Sequence, residues 1–369
     1  MLTWVEVSKS AIKYNLAQFK RLVGRGVLLM PVIKSNAYGH GLIEVAKICE
    51  DDKNVDKICV VSLDEALTLL KNGIKKPLLI LSFYELDRNK IKIALKNNVI
   101  FPVYRLDQIN YLNKIALSLK RTAKVHLKID TGTTRIGILP DEATKFAKKI
   151  TALKNLKLDG IWSHFASSES DQKFTKKQLS IFNNVIKKIE EEGIVIPTKH
   201  FACSAAAILH PQSQFNAVRL GLSTYGLYPD KKSRKNINLK PALSLNTKII
   251  QLKTVKTDTK IGYGGSYTTK SKTTIAVLPI GYWDGLDRKL SNIGEVLING
   301  KKFQIRGRIC MNLTMVEIGN TGAKVGDKVT IIGRQGTQEI TADDVDAKID
   351  TINYEVIDRI NPLIDRIVK

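Results

Sequence analysis

At 369 residues the chain is too long for one ordinary compact domain and too short for three, so two domains, or one large α/β barrel with an appendage, are expected. Hydrophobic residues make up 43% and charged residues 25%, enough for a sizeable core, which excludes wholesale disorder. Lys+Arg 59 against Asp+Glu 35 leaves a net charge of +24, yet the lysines are dispersed through amphipathic stretches and are densest only in 231–235, so the charge reads as a solvated surface rather than a nucleic-acid footprint. No apolar run approaches a membrane span, and Met1-Leu2-Thr3-Trp4-Val5-Glu6 lacks the basic-then-apolar layout of a signal peptide. Cysteines at 49, 59, 203 and 310 form no CxxC pair and no metal-ligand cluster; they read as reduced thiols of a cytoplasmic protein without a metal. Neither a nucleic acid nor a membrane is expected as partner.

In chain order, Thr3-Trp4-Val5-Glu6-Val7 alternates like a strand that fits either domain. Short apolar runs at 27–33, 58–61, 78–81, 99–103, 123–129, 156–163, 198–202 and 217–220 then alternate with helical-period stretches such as 64–72, 107–119, 141–153 and 172–192. Many of the latter open with Asp or Ser, and Gly73 and Gly193 stand where helices should stop. Eight such strands are what a (β/α)8 TIM-type barrel needs, although periodicity does not distinguish a closed barrel from an open doubly wound sheet. After Pro229 the pattern changes. Residues 231–240 are polar and basic, and β-branched runs follow at 243–255, 273–279, 294–298, 302–305, 315–318 and 328–333, punctuated by turns such as Asn299-Gly300. The expected division is a barrel over 1–230, with 1–8 free to pair elsewhere, and a mainly β domain over 231–369.

Active sites on such barrels gather at the C-terminal ends of the strands. The first run passes directly into Lys34-Ser35-Asn36-Ala37-Tyr38-Gly39-His40-Gly41. A lysine ending a buried strand is costly to desolvate unless paired or chemically used, and such lysines form Schiff bases. A lysine that merely snorkels at a strand terminus gives the same pattern. The Gly39-His40-Gly41 loop is expected to offer backbone donors near a phosphate. In Lys128-Ile129-Asp130, alternation predicts Lys128 and Asp130 on one face, as an inward functional pair or as an interior salt bridge. His164, after Trp162-Ser163, is structural as readily as catalytic when taken alone. Cys203-Ser204 and Arg219-Leu220-Gly221-Leu222 close the last two strands with a hydroxyl and small residues that suit a phosphate site.

Together these segments resemble bacterial alanine racemase, the two-domain, pyridoxal 5'-phosphate-dependent family with a barrel and a C-terminal β domain. The similarity runs from Trp4-Val5-Glu6 through the Lys34 motif to Gly226-Leu227-Tyr228-Pro229, then through Gly262-Tyr263-Gly264, Pro279-Ile280-Gly281-Tyr282-Trp283-Asp284-Gly285, Gly307-Arg308-Ile309-Cys310-Met311 and Tyr354-Glu355. It implies an isomerase that interconverts L- and D-alanine, supplies D-alanine for peptidoglycan, and works as a cytoplasmic homodimer with shared active sites. By this resemblance Lys34 carries the cofactor as an internal aldimine. Tyr38, Ser204, Gly221, Leu222 and Tyr354 hold its phosphate, Arg219 faces the pyridine nitrogen, and His164 lies beside the ring, linking Arg219 towards Tyr263. Arg135 reaches the phenolic oxygen and the substrate carboxylate, which the Met311 backbone also helps to bind. Lys128 matches a lysine often carbamylated in the family, and Tyr354 crowds the substrate side chain, favouring alanine over serine. Cys203 stands where Asn is usual, Thr133 replaces a common Met, and Asn312 replaces the usual Asp.

Racemisation removes a proton from Cα on one face and returns it on the other, which requires two opposed acid/base groups. The resemblance gives Lys34 the D-alanine face and Tyr263 the L-alanine face. Free tyrosine titrates near ~10, so Tyr263 needs positive charge or hydrogen bonding nearby, which the His164–Arg219 line is expected to supply. Arginine keeps its proton, so a pyridine facing Arg219 is a weaker electron sink, and that favours racemisation over transamination. The rivals are a broader racemase that also takes serine, and a barrel pyridoxal-phosphate amino-acid decarboxylase. The latter uses an acidic partner for the ring nitrogen and a late cysteine, which Arg219 and Met311 do not match. From another class, a basic nucleic-acid-binding protein requires a clustered basic face.

Overall fold

Short runs that are apolar on both faces are built to be enclosed, and here they become parallel strands. In the computed structural model, which describes residues 1–369, β1 (Trp4–Val7) precedes eight such strands: β2 (Leu28–Pro31), β3 (Ile58–Val60), β4 (Leu78–Ile80), β5 (Phe101–Val103), β6 (Ala123–Lys128), β7 (Leu156–Trp162), β8 (Thr198–His200) and β9 (Ala217–Leu220). β2, β9, β8, β7, β6 and β5 form one parallel sheet in that order, and β3 pairs with β4. The parallel bridges Val32–Cys59 and Leu79–Ile100 join β2 to β3 and β4 to β5, so the ring closes. It is a (β/α)8 barrel, and the open-sheet alternative is excluded.

The intervening helices include Leu63–Lys71, Leu106–Ser118, Ala143–Thr151 and Gln172–Glu191, each with its apolar stripe buried. At Leu63–Lys71 the cap falls slightly upstream of the acidic residue that marks the start. Ser62 accepts from the Glu65 N–H, while Asp64 sits inside the first turn; such a cap contributes about 1 kcal/mol. Among the largest fully buried side chains are Tyr225, Phe19, Phe101, Phe182 and Phe201, together with one cation, Lys128.

The chain forms two compact units. One comprises Ala11–Ser35 and Val45–Lys240 and contains the barrel; the other comprises Met1–Ser10, Asn36–Glu44 and Pro241–Lys369. In the second unit β1 lies inside a sheet, antiparallel to β10 (Leu243–Lys248) and parallel to Asp365–Val368. The sheet continues from β10 through Lys328–Gln335, Glu295–Ile298, Lys301–Ile305, Thr314–Glu317 and Thr273–Leu278 to Gln251–Val255. The run 243–255 is therefore two strands rather than one. Asn299 and Gly300 have φ of +50° and +75°, as a two-residue type I′ hairpin requires, between paired Ile298 and Lys301. Two helices, Ala342–Ile349 and Asn353–Asp358, complete the unit. No helix is long and apolar enough to cross a membrane.

Candidate active site

Lys34 follows the end of β2 and opens a single helical turn, Lys34–Tyr38. φ at Ser35, Asn36, Ala37 and Tyr38 is +54°, +52°, +52° and +51°, so the turn is left-handed. That sense costs an L-residue roughly 1–2 kcal/mol, and none of the four is glycine; surrounding contacts must impose it. The Ser35 N–H donates to Glu65 Oε1 (2.7 Å), whose other oxygen accepts from the Val61 N–H (2.8 Å). Asn36 Oδ1 accepts from the Leu42 N–H (3.0 Å) and the Asn36 carbonyl from the Gly41 N–H (2.9 Å). Gly39 has φ +81°, and a Cβ there would fall 2.0 Å from the Ile357 carbonyl oxygen. The His40 and Gly41 amides are used within the turn, donating to the Ala37 and Asn36 carbonyls, so they are not the phosphate donors that the glycines suggest.

Lys128, at the end of β6, is only 1% exposed. Its Nζ has no hydrogen-bond partner and lies 4.1 Å from the centroid of the Trp162 ring. Burial, reinforced by the positive charges of Arg219 and Arg135, holds its pKa well below the ordinary lysine value. The expected Lys128–Asp130 pair does not form. Asp130 lies past the strand end, where alternation no longer sets direction, and its carboxylate turns onto the following loop. Oδ1 accepts from the backbone N–H groups of Gly132 (2.9 Å), Thr133 (2.9 Å) and Thr134 (3.2 Å), and Oδ2 from that of Arg135 (3.0 Å). Burial works to raise the Asp130 pKa, but these donors outweigh it and keep the carboxyl ionised. The loop is thereby fixed and carries the exposed Arg135 side chain.

β9 delivers Arg219, 3% exposed. Its Nη1 donates to His200 Nδ1 (2.7 Å) and the His200 carbonyl (3.0 Å). Its Nη2 donates to the Ser163 (2.8 Å) and Phe201 (3.0 Å) carbonyls and to His164 Nδ1 (3.2 Å), while Nε–H has no protein acceptor. Burial pulls the guanidinium pKa down to about 10. His164 is held neutral, its pKa driven well below the ordinary value by burial and then by Arg219, Lys128, Arg135 and Lys34. Because Nδ1 accepts from Arg219, the His164 proton resides on Nε2. Buried Gln178 holds this segment, donating to the His164 carbonyl (3.3 Å) and accepting from the Ala166 N–H (3.0 Å). Ser204 Oγ accepts from the Gly221 (3.1 Å) and Ser223 (3.4 Å) amides, leaving its O–H free to donate. Leu222 opens the short turn Leu222–Tyr225 that follows.

The remaining candidates lie in the other unit. The Tyr38 and Tyr354 rings sit 6.1 Å apart. Tyr263 stands in a loop with φ of +69°, +70° and +53° at Gly262, Gly264 and Gly265, and it is 72% exposed. Gly281 lies against a neighbouring segment, where a Cβ would fall 2.2 Å and 2.4 Å from the Cys310 and Met311 carbonyl oxygens. Those carbonyls accept from the Tyr282 (3.1 Å) and Trp283 (3.0 Å) amides, so two motifs distant in sequence are one docked pair. Tyr282, Trp283, Met311 and Leu313 are all exposed.

Within the barrel, then, Lys34, Lys128, Arg135 and Arg219 converge electrostatically on His164. Trp162, Gln178 and His200 belong to the same constellation and carry no motif that marks them; inside apolar strands and helices they read as core. Residues 7–229 match the family model of the alanine racemase N-terminal domain, and 242–368 that of the C-terminal domain. An alanine racemase of Methanococcus maripaludis is 40% identical over 368 residues, covering 99% of this chain and 98% of that one. One of Halothermothrix orenii is 40% identical over 366 residues, covering 99% and 96%. The solved alanine racemase of Clostridium difficile superposes with a TM-score of 0.94 at 37% identity, over 100% of this chain and 96% of its own. With both domains matched and the identity sustained from end to end, the chain belongs to the alanine racemase family, pyridoxal 5'-phosphate-dependent isomerases that interconvert L- and D-alanine.

Proposed function

We propose that Lys34 and Tyr263 are the two bases with which this enzyme racemises alanine, and that Arg219, His164, Ser204, Gly221, Leu222, Tyr38, Tyr354 and Arg135 hold the cofactor between them. The carrying observation is the donor set around Arg219. Its Nη atoms are committed to carbonyls and imidazoles, while its Nε–H lacks an acceptor, a fit for an unprotonated pyridine nitrogen. The available Ser204 hydroxyl fits a phosphate oxygen in the same way. Bound pyridoxal phosphate supplies the electron sink that acidifies the Cα–H bond. Lys34 then takes or returns the proton at Nζ on one face, and the Tyr263 phenol oxygen does so on the other. Arg135 and the Met311 backbone bind the substrate carboxylate. Borohydride treatment of the holoenzyme followed by peptide mapping is expected to leave the cofactor adduct on Lys34; an adduct on any other lysine overturns the assignment.

We further propose that Lys128 is carbamylated. A buried, partnerless amine with a depressed pKa is a neutral nucleophile. Its nitrogen lone pair forms an N–C bond with carbon dioxide, one C=O π pair moves onto oxygen, and the nitrogen loses a proton to water. The resulting anion suits a site that already holds Arg219 and Arg135. In 13C-bicarbonate buffer a carbamate carbon resonance is expected from the wild-type protein and not from Lys128→Ala. Equal spectra from the two overturn the assignment.

The active assembly is proposed to be a homodimer in which each site joins one chain's barrel to its partner's Tyr263. This is supported by the exposure of Tyr263, Trp283 and Met311, at 72%, 59% and 54%, a dense apolar set for a lone chain to leave in water. A cytoplasmic location is in keeping with the four free cysteines.

A further inference from the structure

Four adjacent barrel strands each contribute one polar residue to a continuous buried chain. β9 gives Arg219, β8 gives His200, β6 gives His126 and β7 gives Asp159. Arg219 Nη1 lies 2.7 Å from His200 Nδ1, His200 Nε2 lies 2.8 Å from His126 Nδ1, and His126 Nε2 lies 3.3 Å from Asp159 Oδ2. A guanidinium can only donate, and this fixes every proton in the chain. His200 Nδ1 must accept, so its proton is on Nε2. That proton is given to His126 Nδ1, which leaves the His126 proton on Nε2, directed at the Asp159 carboxylate. All three hydrogen bonds therefore point the same way, from the cation at one end to the anion at the other, an alignment in which each bond polarises the next.

The backbone is shaped for this chain. The register between β6 and β7 slips after Val125, so that Val125 faces Leu158 while His126 faces Gly160. Asp159 is the extra residue of that bulge, the device that re-aims a side chain out of the ladder. At Gly160 a Cβ would fall 2.8 Å from both Cε1 and Nε2 of His126, so only glycine lets the ring lie against β7. Trp162 stacks on His200, with centroids 5.5 Å apart and planes 6° from parallel, which fixes the plane of the second ring. Both imidazoles are wholly buried, and the charges that face them are Arg219, Lys57, Lys128 and Asp159, with Lys57 Nζ 3.4 Å from Asp159. Burial, chiefly, keeps His126 and His200 neutral.

We propose that Asp159, His126 and His200 are positioning residues for the racemase reaction, a proton-ordered relay that holds Arg219 in one orientation and ties its charge to a carboxylate two imidazoles away. The proposal rests on the reading that Arg219 serves the cofactor nitrogen. Arg219 otherwise sits among carbonyls and neutral rings with no carboxylate of its own. The relay gives Nη1 a polarised acceptor and leaves Nε–H as the outward donor.

The test begins with 15N-histidine-labelled holoenzyme. Long-range 1H–15N spectra are expected to show both His126 and His200 neutral and protonated at Nε2; an Nδ1–H tautomer or a cationic ring at either position overturns the relay. Asp159→Asn keeps the size and an acceptor oxygen but removes the charge. It is expected to shift the His200 and His126 ring nitrogens, to alter the visible band of the bound cofactor, and to lower kcat roughly 10-fold with little change in KM for alanine, while Asp159→Glu recovers much of the loss. Arg219→Lys separates the two readings. If it changes turnover and the cofactor band while Asp159→Asn changes neither the His200 nitrogens nor kcat, the relay fails and the role of Arg219 stands. If Arg219→Lys changes neither turnover nor band, the reading of Arg219 fails and its relay fails with it. The tautomer measurement needs no variant, so it decides the matter even if Asp159→Asn does not fold.

Discussion

Lys34→Ala and Tyr263→Phe proteins are each expected to lose at least ~10²–10⁴-fold in turnover, the range for removing a positioned acid or base. Mixed and refolded together, they are expected to regain about a quarter of wild-type activity. Half the dimers in a statistical mixture pair one variant with the other, and each such dimer carries one site with both bases lost and one with both intact. The figure discriminates because no single chain in the mixture holds both groups. Steady-state racemisation measured with both enantiomers, alongside mass analysis of subunit exchange, provides the check. Exchange without recovery means that Lys34 and Tyr263 of one chain serve the same site, and the shared-site dimer fails.

Acidification is expected to cost the fold a large part of its stability before Asp130 and Asp159 are protonated. His40 and His126 are each held down to about 4, in both cases chiefly by burial, against an unfolded value near 6.5. A histidine that is buried neutral and must stay so makes no stability difference above its unfolded pKa. As pH falls below about 6.5 the unfolded chain takes up a proton that the native state refuses, so stability drops through the window from about 6.5 to about 4. At pH 5 each of the two contributes a loss of about 2 kcal/mol, and His164 and His200, shifted the same way, add to it. Asp130 and Asp159, whose pKa values are lowered, act at more acidic pH, where their protonation removes further stability. Urea midpoints at pH 7.5 and pH 5, at fixed protein and cofactor concentrations, measure the difference. Equal midpoints would mean that these rings are not buried in the neutral form.

The barrel was legible because its strands are enclosed on both faces and therefore read as unbroken apolar runs, and the two proposed bases, Lys34 and Tyr263, lie in motifs that the family resemblance marks. Other features were hidden for identifiable reasons. The left-handed turn at 35–38 is spelled Ser-Asn-Ala-Tyr, of which only Asn36 readily takes positive φ; Glu65 and the close approach of Ile357 to Gly39 are distant in sequence. The Lys128–Asp130 pairing followed from strand periodicity, which stops holding one residue before it is needed. The relay was invisible because a bulge leaves no mark inside 156–163, and His126 and His200 occur singly within short strands. The helices Ala342–Ile349 and Asn353–Asp358 lie past the last expected strand at 328–333, in a domain read only as mainly β.

The placement of β1 bears on how the chain is made. Synthesis is vectorial: residues 4–7 are made before the barrel strands, yet one neighbour is Leu243–Lys248 and the other is Asp365–Val368, both made after them. The barrel strands between them can pair as they emerge, while this sheet waits with a Trp-Val-Glu-Val segment unpaired until residues 243–248 have been made. Contacts of such sequence separation close slowly, and an idle apolar strand is a template for wrong partners. A second consequence is that 231–369 is not a separable cassette. Cut from the N-terminus, it loses the strand that lies between β10 and its own last strand, so a fragment so defined leaves one edge of β10 bare and its last strand without a partner.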